Sequence, residues 1–512
     1  MKKKYVRWTL WTIASPFILF VILCILIYLP PIQNFLVDKA AVYASEATGM
    51  NISVGRISLS FPLNLVVTDV DAASPHKDTL LSVRRLQVNV QLLPLLKKQV
   101  EVDGISLQGA TVNSNDLIHG MKLNGTLGEL FISSHGVALD PETAIVNKVL
   151  LKDTDLSLCL NDTAAVDTAA SDTTYWKIIL QDIDLQNVSF ALDMPLDSLS
   201  LAASLDNAIL RDGLIDLHKS AYSLQTFRIK NGRVRYDSGK PLAADSLPSG
   251  LDPSHIALTD IGVKLDSLYY EGRNMKAIIS QFVLKERSGV EIVSATGRMV
   301  SNDKVLRVPS LKLETRDSYL ELNAAMDWDA LDFKKEGLVS ARLMADIGKP
   351  DVVRFMGSMD EKFIRKYPSE PLRIRTGIDG DLNKLKLTTL TAELPGALEL
   401  FAKGELTSLT DSLLRGGDIT LQAETKDLKF ISTLAEGIEI PYGTRLEGKF
   451  TMAGPKMGTD LLLMQPEAHA VAAADTIPMT VYNDSISVAD DFKMERAARL
   501  FAKYDLSRDK YE

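Results

Sequence analysis

Cysteine is almost absent from this chain, with two residues, Cys24 and Cys159, in 512, which excludes a disulfide framework as the source of its stability. Histidine is nearly as scarce. The six histidines (His76, His119, His135, His218, His255 and His469) stand singly, without HExxH or any other metal-ligand spacing. Positive charge is not in excess: 57 Lys+Arg against 66 Asp+Glu leave a net charge of -9. That balance lacks the basic field on which nucleic-acid affinity depends, so no nucleic-acid partner is expected. No GxSxG elbow, Walker A loop or GxGxxG fingerprint occurs, and the carboxylates fall mostly in turns or at solvent-facing strand positions. The expectation is a protein with no catalytic residues, no cofactor and no metal, and therefore not an enzyme.

Long hydrophobic runs are also rare, and the single one is at the N-terminus. From Trp8 to Leu29 there is no charge, and as a helix at 1.5 Å per residue this run reaches about 33 Å, enough to cross a hydrocarbon core of roughly 30 Å. Lys2, Lys3, Lys4 and Arg7 precede it and Asp38 is the first charge after it, so the positive-inside rule keeps the N-terminus in the cytoplasm and exports the rest. A cleaved signal peptide would have a shorter apolar region and a nearer small-residue site than Val42 to Ala44. Pro30 and Pro31 end the span, and Ile32, Phe35, Leu36, Lys39, Ala40 and Tyr43 then recur at helical spacing, with Gly49 as a stop.

Beyond Gly49 the pattern has period two. Ile52 and Val54, then Ile57 and Leu59, then Leu65 and Val67, then Leu86, Val88 and Val90 read as strands with one apolar face. The alternation continues through Val102, Ile105 and Leu107, and returns at Ile183, Leu185, Val188, Phe190 and Leu192, which predicts many short antiparallel strands. Residues 161–174 and 238–253 are rich in small and turn-forming residues and read as long loops. Asp351 to Tyr367 reads as helix, a cap or lid, with Pro368 after it. Gly380-Asp381-Leu382 and Gly404-Glu405-Leu406 suggest a loose internal repeat. After about Leu463 the alternation fades, and Asp490 to Tyr504 predicts an amphipathic helix using Phe492, Ala497, Leu500 and Phe501. Asp-Ser/Thr-aliphatic tripeptides recur from Asp78-Thr79-Leu80 to Asp484-Ser485-Ile486. They resemble a periplasmic O-glycosylation acceptor and are equally plain turn chemistry.

The N-terminal run, the helix after it, the phrase Thr48 to Ile57 (TGMNISVGRI) and the stretch Leu81 to Val112, with Leu92-Leu93-Pro94-Leu95-Leu96 between two strands, resemble the N-terminus of AsmA-like proteins. Within that family the likeness is closest to TamB-type chains, the inner-membrane subunits of the translocation and assembly module. The run Pro371 to Thr433, with Pro395-Gly396, Gly404 and Asp411, resembles the middle of such chains, while residues 466–512 form an atypical tail, as in a shortened version.

The resemblance implies a mainly β fold: an N-terminal transmembrane helix followed by an elongated, curved antiparallel β-sheet, an open groove, with a few short helices. Its implied segments are 1–30 (cytoplasmic tip and signal anchor), 31–160 (N-terminal β region with the juxtamembrane helix), 175–465 (continued groove) and the tail. The implied function is phospholipid movement between inner and outer membrane, with an outer-membrane barrel as partner, from a single-pass inner-membrane site with the body in the periplasm. Val54, Leu59, Leu65, Val88, Val90, Val102 and Leu107 are the expected groove lining, although ordinary core packing of a sandwich or barrel explains each of them as well. A periplasmic scaffold for outer-membrane protein insertion or secretion, holding client strands on its sheet edges, suits the same sequence.

Overall fold

A computed structural model describes Lys39, Ala41, Val42, Ser45 and residues 50–511, except 61–63, 74–78, 91–101, 115–120, 139–141, 162–174, 240–249, 333–334, 336, 357–360, 382, 410–412, 434–441, 455, 466–495 and 506–509. The expected span Trp8–Leu29, the Leu92–Leu96 turn and nearly all of loop 161–174 lie outside the described residues. Lys39, Ala41, Val42 and Ser45 are helical, within the expected juxtamembrane helix and just after it. Among the described residues no helix is long and apolar enough to cross a membrane.

The fold is mainly β, and all 24 described strands belong to one sheet. Chain contacts divide it into two units, residues 1–243 with 254–262, and 244–253 with 263–512. The division falls at the second of the two loop-rich segments, not the first.

In the first unit, β1 (Asn51–Ser60), β2 (Asn64–Ala73), β3 (Thr79–Val90) and β4 (Val102–Asn113) pair antiparallel in sequence order. Four strands of 18 residues follow: β5 (Met121–Ala138), β6 (Thr143–Leu160), β7 (Lys177–Met194) and β8 (Leu199–Asp216). These are much longer than the short strands the alternation predicts. The pair β6/β7 corrects the expectation of a wholly antiparallel sheet, for Thr143 pairs with Lys177 and Cys159 with Asp193 in parallel. The far end of β8 pairs with β9 (Ala221–Leu224) and the rest of it with β10 (Thr226–Ser238).

The second unit holds the later part of β11 (His255–Glu271) and an antiparallel meander: β12 (Asn274–Glu286), β13 (Glu291–Ser301), β14 (Val305–Thr315), β15 (Tyr319–Asp327) and β16 (Leu338–Ile347). Between β12 and β13 Gly289 takes φ 93 in the Ser288-Gly289 turn, and between β13 and β14 the Asn302 carboxamide oxygen accepts from the Lys304 and Val305 amides. The expected helix is two short ones, α1 (Lys349–Phe355) and α2 (Glu361–Lys366), after which the meander resumes. It runs through β17 (Leu372–Asp381), β18 (Lys384–Leu394), β19 (Leu398–Thr407), β20 (Gly416–Thr425), β21 (Arg445–Ala453) and β22 (Lys456–Gln465).

The expected helix over Asp490 to Tyr504 is overturned: Arg496–Asp505 is strand β23, paired with β22 and followed by β24 (Lys510–Tyr511). Ala497, Leu500 and Phe501 have helical spacing, but Ala498, Leu500 and Ala502 alternate with period two, and the open edge of β22 offers a ladder that satisfies ten residues of backbone at once.

Few side chains are deeply buried. Among the described residues sixteen apolar side chains are, and six of them form one cluster under the helices: Phe363, Tyr367, Leu394, Ala397, Leu428 and Phe430.

Candidate functional site

Directly paired residues of neighbouring strands share a face, so register alone assembles the site. In the first unit Leu59 pairs with Leu65, Leu65 with Val88, Val88 with Ile105, and the row continues through Ile132, Val149, Ile183 and Leu210 to Phe227. A second row runs Ile57, Val67, Leu86, Leu107, Leu130, Leu151, Leu185, Ala208, Ile229. Each crosses nine strands without a charge, about 40 Å at 4.7 to 4.9 Å per strand.

Beyond these rows the alternation changes phase along a line that crosses the whole unit. Gly55, Asp69, Arg84, Gly109, Gly128, Asp153, Asn187 and Asp206 are each skipped in the ladder of their strand, opposite one another from strand to strand. Left-handed backbone recurs along it, at Asp69 (φ 55), Gly109 (φ 63), Asp153 (φ 49) and Asn187 (φ 52), and at Asn231 (φ 52) in β10. One such residue resets the alternation by one, as a bulge does, and bends the strand. Past the line, Val54, Val70, Val83, Ala110, Leu127, Thr154, Val188 and Leu205 therefore continue the apolar surface. Beside the line on the apolar side Val83 (5% exposed), Thr154 (2%) and Ala208 (4%) are buried. On the other side Asn187 Nδ2 donates to Asp153 Oδ1 (2.9 Å) and Asn231 Nδ2 to Asp206 Oδ2 (2.8 Å), a polar seam in water.

Most of this apolar surface is half-buried, and Leu81, Ile105 and Phe190 are exposed at 37%, 36% and 37%. A sandwich core would bury them.

The second unit repeats the arrangement with residues of its own. Leu313, Leu320, Ala345, Ile374, Ala392, Leu400, Ala423, Leu446 and Leu463 pair in one row from β14 to β22, and Leu311, Leu322, Leu343, Thr376 and Leu390 begin the next. The opposite face carries ion pairs between neighbouring strands, among them Arg375–Asp346 (2.6 Å), Lys384–Glu405 (3.2 Å) and Lys426–Glu399 (2.8 Å). The Glu399 carboxylate raises the pKa of Lys426. Gly404 is one of the positions the loose repeat singles out: a Cβ there would lie 2.2 Å from the Asp418 carbonyl oxygen, so the strand can bend over its neighbour only as glycine.

Of the seven expected lining residues, Leu59, Leu65 and Val88 lie in the first row and Leu107 in the second, while Val54 lies across the seam in line with Val70 and Val83. Val90 pairs with Val102, whose side chain is outside the described residues. Sequence reasoning missed the rows through β5, β6, β8 and β10 and most of the second unit's face. An open hollow around Phe401 on the polar face of β18 to β21 is edged by Glu393, Glu399, Glu424, Glu447 and Arg445, a lining unsuited to an acyl chain. Among the described residues no cluster of His, Cys, Asp and Glu could hold a metal ion, and the Cys159 thiol, unpaired, donates to Asn161 Oδ1 (3.2 Å).

No family model, no curated protein and no solved structure matches this chain.

Proposed function

We propose that this protein moves phospholipids between the inner and outer membranes along its apolar β-face, used as an open groove, and so contributes to outer-membrane biogenesis. In this reading Trp8–Leu29 is the single-pass inner-membrane anchor, the body is periplasmic, an outer-membrane barrel protein receives the far end, and no catalysis is involved. The observation that carries it is the largely half-buried apolar surface: rows of apolar side chains that pair across nine strands in each unit, Leu, Ile, Val and Phe in the first and Leu, Ile and Ala in the second, with Ile105 and Phe190 of the first unit left open. Its likeness in sequence to AsmA-like chains points the same way. From Ile52 to Leu59 the apolar band is about 23 Å wide along the strand, longer than one leaflet's share, about 15 Å, of a 30 Å hydrocarbon core. Exposing a sixteen-carbon tail costs on the order of 12 kcal/mol, which such a surface removes.

The test is mass spectrometry of organic extracts from the full chain purified in mild detergent, comparing wild type with Val90→Asp plus Leu107→Asp. Phospholipid retained by the wild type and reduced to about half in a still-folded variant, whose second unit keeps its own apolar face, is the expected result, and equal lipid in both sinks the reading. The scaffold reading has one observation in its favour: among the described residues β1 pairs on one side only, with β2. Crosslinks from β1 to outer-membrane barrel precursors would establish it.

A further inference from the structure

We propose that Ser198, in the turn between β7 and β8, is an acceptor for an O-linked sugar and is recognised through Asp197 beside it. The proposal rests on the export of the body proposed above and needs nothing of lipid carriage. Asp-Ser/Thr-aliphatic tripeptides occur nine times in the chain, where its composition alone gives about two or three. Turn chemistry accounts for the first two positions and asks nothing of the third. The aspartates that do close turns in this chain are different ones. Asp216 accepts from the Lys219 amide (3.1 Å), Asp381 from the Asn383 and Lys384 amides (2.7 Å each) and Asp427 from the Lys429 amide (3.1 Å), and each of the three is followed by leucine.

The turn at Asp197-Ser198-Leu199 is closed by main chain alone. Pro195–Asp197 form a single 3-10 turn, the Ser198 amide donates to the Pro195 carbonyl (3.2 Å), and the Ser198 carbonyl accepts from the Gly239 amide (2.8 Å). Asp197 and Ser198 are exposed, and among the described residues neither side chain has a partner. Ser198 sits at φ 50, a left-handed conformation that favours glycine or asparagine, so the turn itself gives no reason for a serine. What the pair offers is a solvated hydroxyl next to a solvated carboxylate, at the end of two paired strands. Asp266-Ser267-Leu268 is the contrast within the same chain: it lies inside β11, Asp266 accepts from the Ser280 hydroxyl, and Ser267 is half-buried. Register also places the tripeptides of the first unit. The start of β3, the ends of β6 and β7 and the start of β8 lie along one end of its sheet. The tripeptides at Asp78, Asp162 and Asp197 adjoin that end in sequence, and the one at Asp167 follows in the segment that leaves from it, while the connections at the other end, 61–63, 91–101, 139–142 and 217–220, carry none. In the transfer step Ser198 Oγ bonds to the anomeric carbon of a sugar carried on a lipid diphosphate. The bond from that carbon to the diphosphate breaks, the diphosphate leaves with the electron pair, and the hydroxyl proton passes to a base of the transferase.

The experiment is peptide mass mapping of the full chain extracted from the cells that produce it, before and after mild alkaline β-elimination. The expected result is a Ser198 peptide heavier by whole monosaccharide residues, which alkali removes, and a Ser267 peptide without the increment. The increment is lost in Ser198→Gly, which suits φ 50, and in Asp197→Asn, which keeps the hydroxyl. A bare Ser198 peptide overturns the proposal alone when protease added to spheroplasts cleaves the body, and overturns export with it when the body is protected. A phosphate at Ser198 in place of sugar overturns it, as does a sugar that persists in Asp197→Asn. Phospholipid extracted from Ser198→Gly stays at the wild-type amount, so failure here and failure of lipid carriage are separate results.

Discussion

Asp351 is 1% exposed and carries more of the second unit than its size suggests. Its carboxylate accepts from the Thr315 hydroxyl, from Ser318 Oγ (2.6 Å) and from Arg354 Nη1 (3.0 Å), tying α1 to the turn between β14 and β15. Ser318 Oγ in turn accepts from the Gly348 amide at the helix start (3.0 Å). Removing the carboxylate takes from the Thr315 and Ser318 hydroxyls their acceptor at a buried site, while Arg354 keeps Asp317 (2.9 Å), so Asp351→Ala is expected to cost about 2 kcal/mol in urea unfolding, and Asp351→Asn roughly half of that. A second residue reports the same cap through pH. Burial pushes the Tyr367 phenol above its ordinary pKa of 10.0. The folded state then holds that proton more tightly than the unfolded chain does, so this contribution is whole below about pH 10 and is lost as the pH climbs through the raised value. The thermal midpoint should therefore fall more steeply above pH 10 in wild type than in Tyr367→Phe. Parallel curves would mean that the ring ionises without consequence.

At the scale of the strand, the seam in the first unit turns small residue choices into curvature. Asp153 and Asn187 sit at φ 49 and φ 52, which short polar side chains tolerate and β-branched ones do not. Asp153→Val and Asn187→Val are each expected to lose about 1 to 3 kcal/mol, while Asp153→Gly and Asn187→Gly stay near wild type in the same denaturation curves. The seam was legible in part, because apolar positions step from 52 and 54 to 57 and 59, and from 183 and 185 to 188 and 190, a slip of one at Gly55 and at Asn187. What the slip means needs the neighbouring strands, since a single strand with a phase change is simply an irregular strand. The parallel pairing of β6 with β7 left no local trace either, because it is decided between Thr143 and Lys177, far apart in the chain. The helix expected near the C-terminus failed for the opposite reason: the segment carries two periods, helical at Ala497, Leu500 and Phe501 and alternating at Ala498, Leu500 and Ala502, and the ladder of β22 chooses between them. The helices α1 and α2 were legible because Val352, Phe363 and Tyr367 have helical spacing and Pro368 closes the segment.

For the whole molecule, the proposed lipid carriage makes a separate demand on each unit. Each unit has its own apolar face, crossed by nine-strand rows, the first from β1 to β10 and the second from β14 to β22. If phospholipid rests on both, a charge placed in one should empty that one only. Val88→Asp with Leu107→Asp addresses the first unit, and Leu343→Asp with Leu400→Asp the second; all four positions are half-buried, so the new carboxylates stay hydrated and the sheet stays folded. Each pair is expected to remove about half of the extractable phospholipid, since every methylene denied an apolar contact loses about 0.8 kcal/mol. Transfer between donor and acceptor vesicles separates two ways of using the faces: if lipid passes along both in series, transfer falls close to zero with either pair, because a path is interrupted wherever it is blocked while a store is only diminished. Half retention with half transfer would make the units independent shuttles. Full retention in both variants would leave the apolar faces without a role in lipid binding, and the open edge of β1 would become the feature to pursue.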